Sequence, residues 1–388
     1  FVSGGQYMSG NSEIIPGLEG IPIAESAISL VEGEIGRLSY QGYSIEDLTY
    51  HCSFEEIVAL LYDGELPNQS RVDEITDKMH DYRQLTPDQI ELARIAGKQS
   101  HPMFALQAAV ASVGGAKNDF ESDLDHVVDR GIALIAKTGH LVGAIAQSAD
   151  NRDYVGPSDS DSHAAMILKM IVGNDCSQEH IAVMNELLIL QADHSAGNAS
   201  TFTSRVVTST RSEAEAVASA AIGALSGPAH GGANERAIRL FQEIGSVENA
   251  EAFLSKMFDA KERIPGFGHR IYHAKDPRSA VIQRIAEEIL VEGTESHELY
   301  SIALKVEEIA TEKLSARGLW PNVDLFSGTV FHGINVPIDF YTPLFAASRM
   351  SGWMAHMKEQ WDSGNRLFRP RQIYVGNQNK DFLEISNR

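Results

Sequence analysis

A chain of 388 residues, 43% hydrophobic and 22% charged, has the make-up of a soluble globular protein with length for two domains, not of a disordered one. Its net charge of −21, from 32 basic against 53 acidic residues, argues against nucleic acid as a partner, because such affinity comes largely from neutralising phosphates. No apolar run reaches the roughly 18 to 20 residues that a membrane helix needs, so no membrane partner is expected.

Phe1 to Asn11 carry neither an apolar signal core nor an Arg-rich presequence. Cys52 and Cys176 lie far apart and form no CxxC pair. Together these predict a reduced, cytoplasmic compartment with both cysteines as buried hydrophobes. Further along, Ser44-x-x-Asp47 and Ser53-x-x-Glu56 read as capping boxes, the second followed by an apolar run from Ile57 to Tyr62 that Gly64 and Pro67 stop. Thr86-Pro87-Asp88-Gln89 combines cap, first-turn proline and capping glutamine. Ser177 opens a helix with Ile181, Met184, Leu187, Leu188 and Leu190 on helical spacing, and Ser212-x-x-Glu215 opens an alanine-rich one closed by Ser226-Gly227-Pro228. Later helices are predicted at Asn234–Ile244, Ala250–Met257, Pro277–Val291, His297–Ala316 and Thr342–Gln360. Strand patterns are scarce, Arg205–Ser209 being the best. With no βα alternation and no internal repeat, the fold class is mostly α. Asn151 to Ser162, polar and rich in aspartate, reads as a surface loop. No low-complexity linker marks a boundary, so a second domain is expected as an insertion into the first.

Chemistry concentrates in Pro265–Ser279. Gly266 and Gly268 let backbone approach a ligand, His269 is a side chain able to exchange a proton near neutral pH, and Asp276-Pro277 reads as an N-cap with proline at the first helical position. Arg278 then falls in the first helical turn, a setting suited to an anion. Against the acidic background, Lys261–Arg278 holds five basic and two acidic residues, and Gly364–Ile373 holds Arg366, Arg369 and Arg371 with no acid. Such local positive sites suit a small anionic ligand. Gly266-Phe-Gly268 lacks the third glycine of a dinucleotide fingerprint, and there is no phosphate-binding P-loop and no GxSxG elbow. His269 and His273 have the i,i+4 spacing of zinc-binding histidines but stand outside any HExxH. No metal and no cofactor are expected.

Four other places carry polar residues in guarded settings. His230, flanked by Gly231 and Gly232, follows a helix stop and precedes a new helix. The plain reading is a turn histidine bonded to backbone; the functional one is an imidazole held neutral by the helix N-terminus, able to donate to a carbonyl oxygen becoming an enolate. His194 ends the Ser177 helix, either as a C-terminal cap or as a ligand. Asp324 lies among Val323, Leu325 and Phe326, either a buried cap or a base in a partly dry pocket. Arg349, within the apolar segment Phe345–Trp353, is costly to bury unless it meets an anion. Arg369, before Pro370, reads on its own as a solvated charge.

In combination these residues bring out a family. The chain resembles citrate synthase over nearly its whole length, from Gly17-Leu-Glu-Gly-Ile and Tyr40-Gln-Gly-Tyr-Ser-Ile-Glu-Asp-Leu to Arg369-Pro-Arg-Gln-Ile-Tyr-Val-Gly. The most specific matches are Gly227-Pro-Ala-His-Gly-Gly-Ala-Asn-Glu, Gly266-Phe-Gly-His-Arg-Ile-Tyr, Asp276-Pro-Arg and Asn322-Val-Asp. The resemblance implies an all-α fold with a large domain (1–231 and 336–388) and an inserted small one (232–335) that closes over oxaloacetate. It implies condensation of acetyl-CoA with oxaloacetate to citrate and free CoA. Asp324 then resembles the base, His230 the donor to the thioester oxygen and His269 the donor to the oxaloacetate carbonyl. His194, Asn198, Arg278, Arg349 and Arg369 resemble oxaloacetate and citrate ligands. Ile264, Pro265, Gly266, Phe267 and Gly268, with Lys275, Asn322 and Arg366, correspond to CoA contacts. One departure is His273, which stands where many relatives have lysine, with Lys275 displaced by two. The family pattern also implies a homodimer in which Arg369 reaches the partner's site. The nearest alternative is 2-methylcitrate synthase, which accepts propionyl-CoA; a non-catalytic carboxylate- or partner-binding homologue is the other.

Overall fold

The computed structural model describes residues 14–114, 124–173, 176–268, 271–272 and 274–388. His269 and His273 lie outside them. Three short strands, β1 (Ser29–Glu32), β2 (Arg37–Tyr40) and β3 (Tyr43–Ser44), form an antiparallel sheet in that order, with Ser29 opposite Tyr40 and Ser39 opposite Ser44. The other regular elements among the described residues are helices. The first group comprises α1 (Ile45–His51), α2 (Phe54–Asp63), α3 (Gln69–Tyr82), α4 (Pro87–Gln99), α5 (Pro102–Ser112) and α6 (Leu124–Ala149). Then come α7 (His163–Val172), α8 (Gln178–Gln191), α9 (Ala199–Thr208), α10 (Ala214–Leu225), α11 (Ala233–Ile244) and α12 (Ala250–Asp259). The chain ends with α13 (Pro277–Ile289), α14 (Glu295–Leu314), α15 (Asp324–Gly333), α16 (Tyr341–Asp362) and an extended segment. The mostly α expectation holds. Among the described residues no helix is long and apolar enough to cross a membrane.

The caps read from the sequence start their helices. Ser44 accepts from the third backbone N–H of α1, and Ser53/Glu56 and Thr86/Gln89 form complete capping boxes at α2 and α4; Asn68, not singled out in the sequence, caps α3 in the same way as Ser44. Ser177 caps α8, and Asp276 caps α13 with Pro277 behind it. Ser212 does not cap α10: that helix begins at Ala214 after Glu213, with no side-chain cap bond. The strand expected at Arg205–Ser209 is helix α9. Asn198 caps it, the Ser204 and Thr208 hydroxyls bond carbonyls of the preceding turn, and buried Arg205 reaches α16. Tertiary contacts there outweigh the β preference of Val206 and Val207. Cys52 and Cys176 are half-buried, where full burial was expected.

Helix α16 is the axis of the larger helical layer. It packs on α6, α8, α9 and α10, with Trp353, Met350 and Leu344 fully covered. Each such side chain contributes about 1.5–3 kcal/mol by leaving water. Helices α11, α13 and α14 gather around α15, whose Leu325, Phe326, Val330 and Phe331 are buried. The site is built where α15 and the loop before α13 meet the end of α8 and the middle of α16.

Candidate active site

Asp324 is the first residue of α15, and it is not a cap, since Val323 holds the cap position without a side-chain bond. Its turn is fixed by Asn322, whose Oδ1 accepts from Asp324 N (3.0 Å) while its Nδ2 donates to Gly268 O (3.0 Å). Asn322 N also donates to Gly266 O and Gly268 N to Trp320 O, each at 2.9 Å. The 264–268 loop is thereby laid directly on the α15 start. Gly266 makes this possible: its φ is +82°, and a Cβ there would come within 2.6 Å of Leu325 Cα. Burial pushes the Asp324 carboxyl up to about 6, against the pull of Arg278, Arg236 and Arg349 and with the push of Asp276. It is a carboxylate at neutral pH that holds a proton more readily than an exposed one.

The arginines differ in how they are held. Arg278 is buried, with Nε and Nη2 on the two oxygens of Asp276 at 3.0 and 2.7 Å. Burial opposes its charge, but Asp276 more than compensates and holds it firmly protonated. This bidentate pair fixes the guanidinium plane. Arg349, in the middle of α16, is fully buried, stacks on Phe345 at 4.7 Å and donates from Nε to Gln191 O at 2.7 Å. Among the described residues its Nη1 and Nη2 meet no hydrogen-bond partner. Burial pulls its pKa down to about 10. A desolvated guanidinium with two unsatisfied nitrogens is energetically unfavourable unless an anion completes it.

His194, two residues beyond the Ala192 that closes α8, is buried and does not act as a carbonyl cap. Its Nε2 lies 3.3 Å from the Tyr272 hydroxyl, with the two rings edge to face. Tyr272 is itself buried and feels Arg278 and Asp276. His230 sits in the turn between α10 and α11, where Gly231 N donates to Leu225 O. Its Nε2 is 3.0 Å from Ser200 Oγ, which also receives Trp353 Nε1–H at 3.2 Å and lies 2.9 Å from Asn198 Oδ1. That hydroxyl has one proton and two acceptors in reach. As placed it donates to Asn198 Oδ1 and accepts from Trp353 Nε1–H, and the tautomer of His230 follows from which of the two acceptors holds that proton.

Ser200 and Tyr272 were not assigned roles from the sequence, and Asp276 only that of a cap, although Tyr272 and Asp276 lie within Pro265–Ser279. Other expected ligands are placed differently. Asn198 spends its Oδ1 on Ser200 N and Oγ at the start of α9. Lys275, expected at CoA, is ion-paired with Glu307 and donates to Gln283 Oε1 at 2.7 Å, with Phe326 beneath it. Ile264 is buried, Pro265 and Phe267 are half-buried, and Phe267 bridges to Pro321. Arg366 and Arg369 are exposed on the segment after α16. Among the described residues, His101, Glu235 and Asp339 bring potential metal-ligand atoms within 4.8 Å of one another. Glu235 already accepts from Thr342 and Asp339 from Arg239, which leaves poor donors for an ion.

The arrangement compares closely with known proteins. The profile described as "Citrate synthase, C-terminal domain" matches residues 17–371. The citrate synthase of Acidithiobacillus ferridurans is 38% identical over 380 residues, 96% of this chain and 98% of that protein. A 2-methylcitrate synthase of Corynebacterium glutamicum is 36% identical over 97% of this chain and 99% of its own. Citrate synthase from Thermoplasma acidophilum, solved as a ternary complex with carboxymethyl coenzyme A and oxaloacetate, superposes with a TM-score of 0.92 at 33% identity, covering 96% of this chain and 99% of that one. Fold and relatives define an acyltransferase of the type that converts the acyl group to alkyl on transfer. The chain belongs to the citrate synthase family.

Proposed function

We propose that this protein condenses acetyl-CoA with oxaloacetate and water to give citrate and CoA. Asp324 takes a proton from the acetyl methyl group while His230 donates to the thioester oxygen. Both are needed, because a thioester α-proton is too weakly acidic for a carboxylate unless the oxygen is stabilised in the same step. The enol carbon attacks the oxaloacetate carbonyl, to which His269 donates, and the C–C bond forms. Water then cleaves the citryl thioester, releasing CoA. His194, Arg278 and Arg349 hold the substrate carboxylates, and the 264–268 loop beside Asp324 lies against CoA. Segment 232–335 is the smaller domain, whose closure keeps water from the enol. Arg369 completes the site of a second copy in a homodimer, and the protein works in the cytoplasm.

The observation that carries this reading is a site holding both a buried Asp324, pushed up to about 6, and a buried Arg349 whose two terminal nitrogens have no hydrogen-bond partner among the described residues. The test is CoA-thiol release in the presence of oxaloacetate, with acetyl-CoA and propionyl-CoA compared. A kcat/KM ratio above one in favour of acetyl-CoA is expected. A ratio below one makes the protein a 2-methylcitrate synthase, and no release with either makes it a non-catalytic homologue.

A further inference from the structure

Behind His194 lies a buried polar chain that none of the proposed chemistry uses. Asp193 is completely covered, and its Oδ2 spans the histidine: attached to the residue before it, the carboxylate accepts from the backbone N–H of Ser195 after it at 3.2 Å. Ser195 has a φ of +68°, a left-handed conformation that is unfavourable for a residue other than glycine. The Asp193 carboxylate holds that turn together with Ser29 Oγ, which accepts from the same Ser195 N–H at 2.9 Å, and with the turn the direction in which His194 leaves the backbone. Ser29 Oγ on β1 donates to the same oxygen, and the Tyr40 hydroxyl on β2 bonds the Asp193 carbonyl at 3.1 Å.

His356 supports the carboxylate from α16. Its Nε2 is 3.2 Å from Asp193 Oδ2, and its Nδ1 receives Arg205 Nε (3.2 Å) and Nη2 (2.8 Å). Burial disfavours a charged imidazole, while Asp193 and Glu359 together raise its proton affinity above the ordinary value. Two guanidinium N–H groups aimed at Nδ1 decide for the neutral ring, since a proton there would face donors. The single ring proton is then on Nε2, donated to Asp193. Arg205 is anchored in turn by Glu359 and by Gln360 Oε1 at 3.1 Å. Gly352 lets α16 come this close: its N donates to Ala192 O at 3.1 Å, and a Cβ would strike Asp193 Oδ1.

We propose that His356 and Asp193 are positioning residues for the dicarboxylate pocket, a neutral His356 orienting the Asp193 carboxylate so that the strained turn presents His194 to oxaloacetate. This rests on the reading that His194 is an oxaloacetate ligand. Neither residue touches substrate. They act through His194, and they tie the N-terminal sheet and α16 to the same turn.

The experiment compares His356→Leu with His356→Gln in the full chain, measuring both KM values, kcat, oxaloacetate binding by calorimetry and the melting temperature. Glutamine is able to accept from Arg205 and donate to Asp193; leucine does neither. For His356→Leu, the KM and Kd for oxaloacetate rise about 10- to 100-fold, the effect of a slightly misplaced binding group. The KM for acetyl-CoA stays within about twofold under that same selective misplacement, and His356→Gln restores most of the oxaloacetate affinity. Should the leucine variant fail to fold, Asp193→Asn, equal in size but a weaker acceptor, carries the same prediction. An unchanged oxaloacetate KM with only a lowered melting temperature overturns the proposal, as does a glutamine variant no better than leucine. A wild-type protein that neither binds oxaloacetate nor releases CoA overturns the functional reading, and this proposal with it. Wild-type turnover with unmoved variants overturns this proposal alone.

Discussion

Replacing Asp324 by asparagine removes the base but keeps its size, and the structure assigns it two opposite effects. A carboxyl whose folded-state pKa is about 6 against 3.8 for a free one prefers its proton in the folded protein. Its ionisation therefore destabilises the fold as pH rises from 3.8 through 6, by about 3 kcal/mol in the limit of full burial. Asp324 keeps some contact with solvent, which screens part of this, so about 1–2 kcal/mol is the working figure. The asparagine amide never ionises. Asp324→Asn should accordingly be more stable than the wild type at pH 8, with a gain that falls to about half at pH 5 and vanishes below the unfolded pKa. Chemical denaturation at several pH values measures this. In CoA-thiol release, the same variant should lose about 100- to 10,000-fold in kcat, the usual contribution of a general base. The wild-type kcat/KM for acetyl-CoA should fall on the acid side with an apparent pKa near 6. A variant less stable than the wild type at pH 8, or one with unchanged turnover, would refute the view of Asp324 as a base destabilised by burial.

Other substitutions test the neighbouring parts. Arg349→Met should raise the oxaloacetate KM at least about 100-fold while leaving the unliganded protein as stable or more so, because it removes a buried charge whose two terminal nitrogens have no hydrogen-bond partner among the described residues; calorimetric titration and thermal melts read the two effects. Gly266→Ala should cost about 1–3 kcal/mol of stability and impair CoA binding, since it forces φ +82° on alanine against Leu325; a variant with native KM for acetyl-CoA contradicts the loop packing. Ser200→Ala leaves His230 Nε2 and Trp353 Nε1 without their shared partner, and should lower kcat about 10- to 100-fold with oxaloacetate binding retained. Retention of full kcat would detach Ser200 from the donor.

What was legible in the sequence is what is written locally. Capping residues marked the starts of α1, α2, α4, α8 and α13 because a cap needs only a side chain and the N–H groups just after it. His230, Asp324 and Arg349 stood out because each places a polar group among glycines or hydrophobes. The small sheet was not legible: strands of four, four and two residues are too short to show alternation. Nor was α9, whose β-branched run is overridden by Arg205 reaching α16. The fate of Lys275 turns on Glu307, which follows it by a whole helix, so its ion pair was beyond local reading. Ser200, Asp193 and His356 matter through partners more than a hundred residues away, as in Trp353 on Ser200 and His356 on Asp193. Spacing along the chain carries no signal of such contacts. The family resemblance supplied roles for residues whose surroundings only the fold displays.

The most direct test of the central claim is to identify the product by mass spectrometry after incubating the protein with acetyl-CoA and oxaloacetate. The account predicts citrate and free CoA in equal amounts from the wild type, with neither formed by Asp324→Ala. Free CoA without citrate, or citrate formed equally by the Asp324→Ala protein, would contradict it.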